Sequence, residues 1–216
     1  MSFEREKRLA AAAAAELVES GMTVGLGTGS TVGYLLPALA ARGLDLRCVA
    51  TSVATEQAAR SLGIHVEPFT GRDALSRLDL AVDGADQVAP PGWLVKGGGA
   101  AHTREKLVAA ASDRFVVIVS SDKLVERIRP PIPLELLDYG LAATLGALGS
   151  VQLRNAPRSP DGGVIADFTG DVDDPAELAA RLSATPGVVD HGLFPPELVS
   201  EVIVGRGEGV ERRPVG

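Results

Sequence analysis

Three glycines alternate across Gly25-Leu26-Gly27-Thr28-Gly29-Ser30-Thr31, directly after the apolar run 22–26 and directly before a helical pattern over 31–42. A strand that passes through a glycine turn into a helix opens a βαβ unit. It requires a parallel neighbour for that strand. The first 130 residues keep this rhythm. Helices read over 4–20, 31–42, 53–62 and 103–111. Gly21, Gly43 and Gly63 stand just past three of their ends, where a left-handed residue closes a helix. Pro37 interrupts the second of these patterns. Strands read over 22–26, 46–50, 64–66, 78–82, 93–95 and 115–119. The last is apolar on both parities, as in a strand buried on two faces.

The segment Pro130-Pro131-Ile132-Pro133 breaks the alternation. Beyond it, strands read over 134–136, 151–154, 164–167 and 188–193, and helices over 139–148 and 175–184. This is a small α+β unit of subdomain length. Strands at 201–204 and 210–212 lead back to the first unit. The expected fold class is therefore α/β: a mostly parallel sheet domain over 1–130 plus 205–216, and a second, smaller α+β domain over 131–204. No internal repeat or low-complexity linker interrupts either.

Composition removes several classes of function. Hydrophobic residues make up 45% and charged residues 23%, the balance of a globular chain. Lys+Arg number 21 against Asp+Glu 28, a formal net charge of -7. A broad polyanion partner such as nucleic acid needs the opposite sign. No apolar run is long enough to span a membrane. Glu16 and Glu19 follow the alanine run, which speaks against a signal peptide. Cys48 is alone and sits in an expected strand, so it reads as a small buried hydrophobe in a reducing compartment, the cytoplasm. His65, His102 and His191 share no ligand spacing, and no metal site is expected. Only four of the basic residues are lysines: Lys7, Lys96, Lys106 and Lys123.

Four short stretches carry chemistry. The 25–31 turn offers helix-start N–H groups, a positive helix dipole and the hydroxyls of Ser30 and Thr31, which suit an anion. It is not a dinucleotide fingerprint, because Ser30 stands where the third glycine belongs and Thr51-Ser52 end the second strand in place of an acid. It is not a P-loop, since no Gly-Lys-Ser/Thr follows. Two readings stand: a phosphate cradle, or a turn that uses glycine for geometry alone. Val82-Asp83-Gly84-Ala85-Asp86 ends a buried strand and places two acids on the side where open α/β sheets bind ligands. The same residues also form a common Asx turn. Val95-Lys96-Gly97-Gly98-Gly99 ends another strand in three glycines, a costly choice that permits close backbone approach to a ligand. Glu105 follows in the first turn of a helix. There it serves as a dipole-matched surface acid or, in a cleft rimmed by Asp83 and Asp86, as a general base tuned by those acids and Lys96. Lys123 sits in Ser120-Ser121-Asp122-Lys123, again past a strand end, either solvated or placed for phosphate.

In order and spacing, Gly27-Thr28-Gly29-Ser30-Thr31, Asp83-Gly84-Ala85-Asp86, Lys96-Gly97-Gly98-Gly99 and Arg104-Glu105-Lys106 resemble the motifs of the ribose-5-phosphate isomerase type A family. The likeness runs on through Thr51-Ser52, Ser61-Leu62-Gly63-Ile64, Pro133-Leu134-Glu135 and Pro186-Gly187-Val188-Val189 to Gly192-Leu193-Phe194, nearly the whole chain. The resemblance implies a Rossmann-like catalytic domain and an aldose–ketose isomerase acting on D-ribose 5-phosphate and D-ribulose 5-phosphate. It implies Glu105 as the proton carrier. Asp83, Asp86 and Lys96 would assist ring opening and steady the oxyanion. Thr28, Gly29, Ser30, Thr31 and Lys123 would surround the phosphate, with Lys7 approaching it, and Gly84, Ala85, Gly97, Gly98 and Gly99 would complete the substrate contacts. It further implies no cofactor, no metal and a homodimer or dimer of dimers. Gln87 departs from the family's usual Glu and removes a charge near the site. Ser120 and Asp122 exchange the family's acid and hydroxyl ahead of Lys123. The alternative from another class is a non-enzymatic sugar-phosphate effector-binding module. Such a module has no use for Glu105, and the stretch ahead of Met22 is short for a DNA-binding segment.

Overall fold

The computed structural model describes residues 3–215. The chain opens with α1 (Phe3–Ala15), β1 (Thr23–Leu26), α2 (Val32–Ala40), β2 (Arg47–Ala50) and α3 (Val53–Ser61). It continues through β3 (Leu80–Asp83), β4 (Gln87–Ala89), β5 (Trp93–Val95), α4 (His102–Ala110) and β6 (Phe115–Ser120). The second block holds β7 (Ile132–Leu136), α5 (Leu141–Leu148), β8 (Val151–Leu153), β9 (Val164–Phe168), α6 (Pro175–Ala184) and β10 (Val188–His191). β11 (Leu193–Phe194), β12 (Glu201–Arg206) and β13 (Gly209–Pro214) close the chain.

The large sheet has the order β13-β12-β6-β3-β1-β2. Its ladders are parallel except for the terminal β12–β13 hairpin. β3 and β6 are buried along their whole length, which is why they read as unbroken apolar runs. α1 lays the alanine face Ala10, Ala11, Ala14 and Ala15 on β6 and β12; small side chains let the helix sit close. β2 lies on one side of β1 and β3 on the other. The chain thus reverses direction across the sheet at β1, and the crevice between the carboxyl ends of β1 and β3 is the topological switch point where such sheets bind ligands.

The second block folds as an antiparallel sheet, β10-β7-β9-β8, whose core includes Leu134, Leu136 and Ala166 with Leu148 of α5 and Leu178 and Leu182 of α6. A short ribbon, β11-β5-β4, joins the two blocks.

The structure corrects some sequence expectations. Residues 201–204, assigned to the smaller domain, form β12 in the large sheet beside β6. Val202, Ile203 and Val204 are apolar on both parities, and only the interior of a two-face-covered sheet buries both. β5 pairs antiparallel in the ribbon, not in the parallel sheet. Leu193 leaves the strand expected over 188–193 to pair with Val95. The expected strand at 64–66 is reduced to a single bridge, Cys48 to Val66. β4 was not legible at all. Helix α1 stops at Ala15, short of the expected residue 20. Cys48 is fully buried, and burial pushes its thiol up to about 12, an unreactive core residue.

Candidate active site

The cleft at the switch point is walled by Thr28, Gly29, Ser30 and Thr31 on one side and Gly84, Ala85 and Asp86 on another. Lys96, Gly97, Gly98, Gly99, Glu105 and Lys123 complete it. Five separate chain segments are brought together, all at or just beyond the ends of strands or at the start of α4.

Asp83 lies beneath this wall, only 3% exposed. Its Oδ1 accepts the backbone N–H groups of Thr28 (3.0 Å) and Gly84 (2.7 Å), and its Oδ2 lies 2.9 Å from Lys96 Nζ. One carboxylate therefore ties the turn after β1 to the lysine after β5. Gly27 makes this possible, since a Cβ there would overlap the Asp83 carboxyl group. Burial raises the Asp83 carboxyl above the ordinary range; Lys96 and the two N–H groups oppose that rise.

Lys96 is 3% exposed and donates to Gly84 O at 2.5 Å as well as to Asp83. Burial alone would lower its pKa, but the charges of Asp83 and Glu105 outweigh it, and the net direction is upward. The lysine is held as a cation. Its ammonium also lies 5.6 Å from the centre of the Phe194 ring, a further attraction for positive charge.

Glu105 occupies the first turn of α4 and is 6% exposed. Its Oε2 lies 3.3 Å from Lys96 Nζ yet accepts no hydrogen bond. Burial first, and then the charge of Asp83, push its carboxyl up to about 8, against the opposing pull of Lys96. A buried carboxylate oxygen without a donor is costly, and sites that keep one are functional candidates. Its neighbour Lys106 points elsewhere, because successive helix residues face different ways. Its ammonium donates to Asp190 and to the carbonyl of His191 and has a structural role.

Asp86 is exposed at the cleft and accepts the Gly98 N–H at 2.8 Å. In the 28–31 turn the first helical bond runs from Gly33 N–H to Gly29 O, so the preceding N–H groups stay free of helical partners. The Thr28 hydroxyl meets Thr51 Oγ1 at 2.7 Å, which explains why Thr51 follows β2. Lys123 sits in the short helical turn Ser121–Lys123, 3.5 Å from Asp122. Ser120 donates to Asp122, so the exchanged acid and hydroxyl still form one local unit.

Two residues singled out in the sequence lie outside the cleft lining. Lys7 is not among the cleft-lining residues; its ammonium pairs with Glu4 at 2.6 Å. Gln87 does not line the cleft either. Its amide exchanges two hydrogen bonds with the backbone of Arg129, at 2.7 and 2.9 Å, so the missing charge belongs to a structural pairing. Three supporting residues escaped the sequence reading. Glu6 accepts from Ser121 (N and Oγ) and Gly207, which fixes the turn that carries Lys123. Glu135 accepts from Thr103 and Ser159, which fixes the start of α4. Arg154 reaches the carbonyls of Gly97 and Gly98. No local pattern assigns them this bracing role, although Glu135 belongs to the Pro133-Leu134-Glu135 stretch, since each acts on an element distant in sequence. Among the described residues, no group of three or more His, Cys, Asp or Glu side chains is placed to hold a metal ion. None of the described helices is long and apolar enough to cross a membrane.

Fold and cleft together define an α/β protein with an anion-suited turn and a buried acid–lysine–acid cluster. This is equipment for moving a proton on a small anionic molecule. Residues 47–209 match the family model of ribose 5-phosphate isomerase A (phosphoriboisomerase A). Ribose-5-phosphate isomerase A of Caulobacter vibrioides is 47% identical over 228 residues, covering 98% of this chain and 99% of that protein. The structure of ribose 5-phosphate isomerase A from Methanocaldococcus jannaschii superimposes with a TM-score of 0.90 at 32% identity, over 99% of this chain and 100% of the other. A D-ribose-5-phosphate isomerase in complex with phospho-erythronic acid gives 0.91 at 33% identity, over the same shares. The chain belongs to the ribose 5-phosphate isomerase A family.

Proposed function

We propose that this protein interconverts D-ribose 5-phosphate and D-ribulose 5-phosphate through an enediolate. The observation that carries this reading is Glu105: a buried carboxylate with a free oxygen, beside a buried lysine, in a cleft whose other wall is an anion-suited turn. In the aldose direction, the open chain presents C1 as an aldehyde. Glu105 removes the proton on C2, the electron pair forms the C1–C2 double bond, and negative charge develops on O1. Lys96 faces that charge as the fixed cation. A proton passes from O2 to O1, and Glu105 returns its proton to C1, leaving the ketone at C2. The base is regenerated, and no oxidant or reductant is consumed.

Asp86, with Asp83 below it, assists opening of the furanose ring. The 28–31 turn and Lys123 hold the phosphate. Binding energy gained at that end positions the reacting carbons against Glu105. A base serves best with a pKa near working pH, and a carboxyl raised to about 8 meets that demand. The same reading extends to a homodimer or dimer of dimers in the cytoplasm, which sedimentation and cell fractionation test.

The deciding assay follows ketopentose formation from ribose 5-phosphate, with a chelator present. The proposal expects steady turnover. Binding of ribose 5-phosphate without turnover would reject it in favour of an effector-binding module.

A further inference from the structure

Arg154 follows β8 in the smaller sheet, and its guanidinium is divided between two tasks. Nε and Nη2 form a fork with Asp167 of β9, at 2.7 and 2.6 Å. Nη1 crosses to the cleft and donates to Gly97 O at 2.8 Å and to Gly98 O at 3.3 Å. On the other side of the same turn, Gly98 N–H donates to Asp86 at 2.8 Å. Gly97 O and Gly98 N belong to one peptide unit. A peptide unit is planar and trans, so its C=O and N–H point in opposite directions. Holding the oxygen fixes where the N–H points.

This peptide needs holding. It joins two glycines, and rotating a Gly–Gly peptide between its flanking dihedral angles meets little steric resistance. Gly97 is already in the left-handed region, φ +107°, where a Cβ would press on His102 and Pro133. A cationic donor on the carbonyl also polarises the peptide and strengthens its N–H as a donor. The fork with Asp167 pre-orients the guanidinium, so little freedom is lost in making the clamp.

We infer that Arg154, braced by Asp167, is a positioning residue that locks the Gly97–Gly98 peptide so that the Gly98 N–H holds Asp86 in the cleft. The smaller domain thereby sets the geometry of a wall it does not itself line. This inference rests on the proposed role of Asp86 for its effect on turnover, and on hydrogen bonding alone for its effect on the turn.

The test uses the full-length protein with Arg154→Ala, Arg154→Lys and, should the alanine variant fail to fold, Asp167→Asn. The alanine variant is expected to lose about 10–100-fold in kcat, the scale of a mispositioned group. KM for ribose 5-phosphate should stay within about threefold, because the phosphate wall is built on other elements. Amide exchange should quicken over 96–100 and stay unchanged over 28–31. Millimolar methylguanidinium should restore part of kcat in the alanine variant and leave the wild type unaffected. Lysine, a single point donor, should restore little. A folded variant with unchanged exchange over 96–100, or with kcat within about twofold of wild type, overturns the inference. So does a lost kcat that methylguanidinium fails to restore. If the wild type itself does not isomerise ribose 5-phosphate, the functional reading fails, while the exchange experiment still decides the clamp.

Discussion

The pH dependence of turnover follows from one carboxyl group. Glu105 acts as base only when ionised, and burial with the Asp83 charge raises it to about 8. The ionised fraction is then about 1% at pH 6, about 9% at pH 7, half at pH 8 and about 90% at pH 9. The substrate phosphate loses its second proton with a pKa of about 6 and is about 90% ionised by pH 7, so the window above pH 7 reports mainly on the enzyme. Between pH 7 and pH 9, kcat/KM should rise about tenfold and then level off. Replacing the carboxyl, in Glu105→Gln, keeps the size and removes the proton carrier. Positioned general bases contribute up to about 10⁴-fold. A loss of that size corresponds to about 5.5 kcal/mol of transition-state stabilisation. Initial rates of ketopentose formation across pH 6–9.5 measure both effects, with calorimetry to confirm that the variant still binds ribose 5-phosphate. A wild-type profile flat from pH 7 to 9 would refute the tuning argument. A Glu105→Gln variant that keeps more than about one-hundredth of wild-type kcat would refute the base.

Other outcomes follow from the same geometry. Glu105 also sets a stability slope. Its folded pKa lies above the ordinary 4.5, so its contribution is complete below about 4.5 and is lost as pH rises through about 8. The melting temperature of Glu105→Gln relative to wild type should therefore climb from pH 5 to pH 9, and a pH-independent difference would contradict the raised value. Lys123→Ala should raise KM for ribose 5-phosphate by about 10-fold or more with kcat little changed; a fall in kcat alone would remove Lys123 from ground-state phosphate binding. Gly27→Ala forces a Cβ into the Asp83 carboxyl and should cost about 1–3 kcal/mol in denaturant unfolding as well as activity. Unchanged stability there would mean that Asp83 has room to move.

The sequence disclosed the cleft better than it disclosed what braces the cleft. The 25–31 turn, the acids at Asp83 and Asp86 and the glycines after Lys96 are local statements: turn chemistry and strand ends are written in consecutive residues. Strand order is not. That Asp83, Lys96 and Glu105 converge within hydrogen-bonding reach depends on β3, the β5 ribbon and α4 meeting at the switch point, which the spacing alone does not specify. The bracing roles of Glu6, Glu135 and Arg154 are illegible for the same reason. Each is an ordinary charged residue until tertiary contact brings a backbone group to it. For Lys7 the sequence specifies a motif position, and the structure adds a partner for its ammonium, Glu4. Residues 201–204 read as a strand that leads back to the first unit, and they lie there beside β6; only the boundary drawn after 204 falls too late, because the break at 130–133 marks where the second block begins and nothing as sharp marks where it ends.

The central claim is that Glu105 carries a proton between two carbons of the sugar. Isomerisation run in D₂O, with the product examined by NMR, tests it most directly. The account predicts product formed by the wild type, with deuterium at the receiving carbon to the extent that the Glu105 carboxyl exchanges with solvent before it returns its proton, and no product with Glu105→Gln although ribose 5-phosphate still binds. Isomerisation that continues in a folded Glu105→Gln variant, with the C2 hydrogen carried to C1 without exchange, would contradict it and would point to direct hydride transfer between the two carbons.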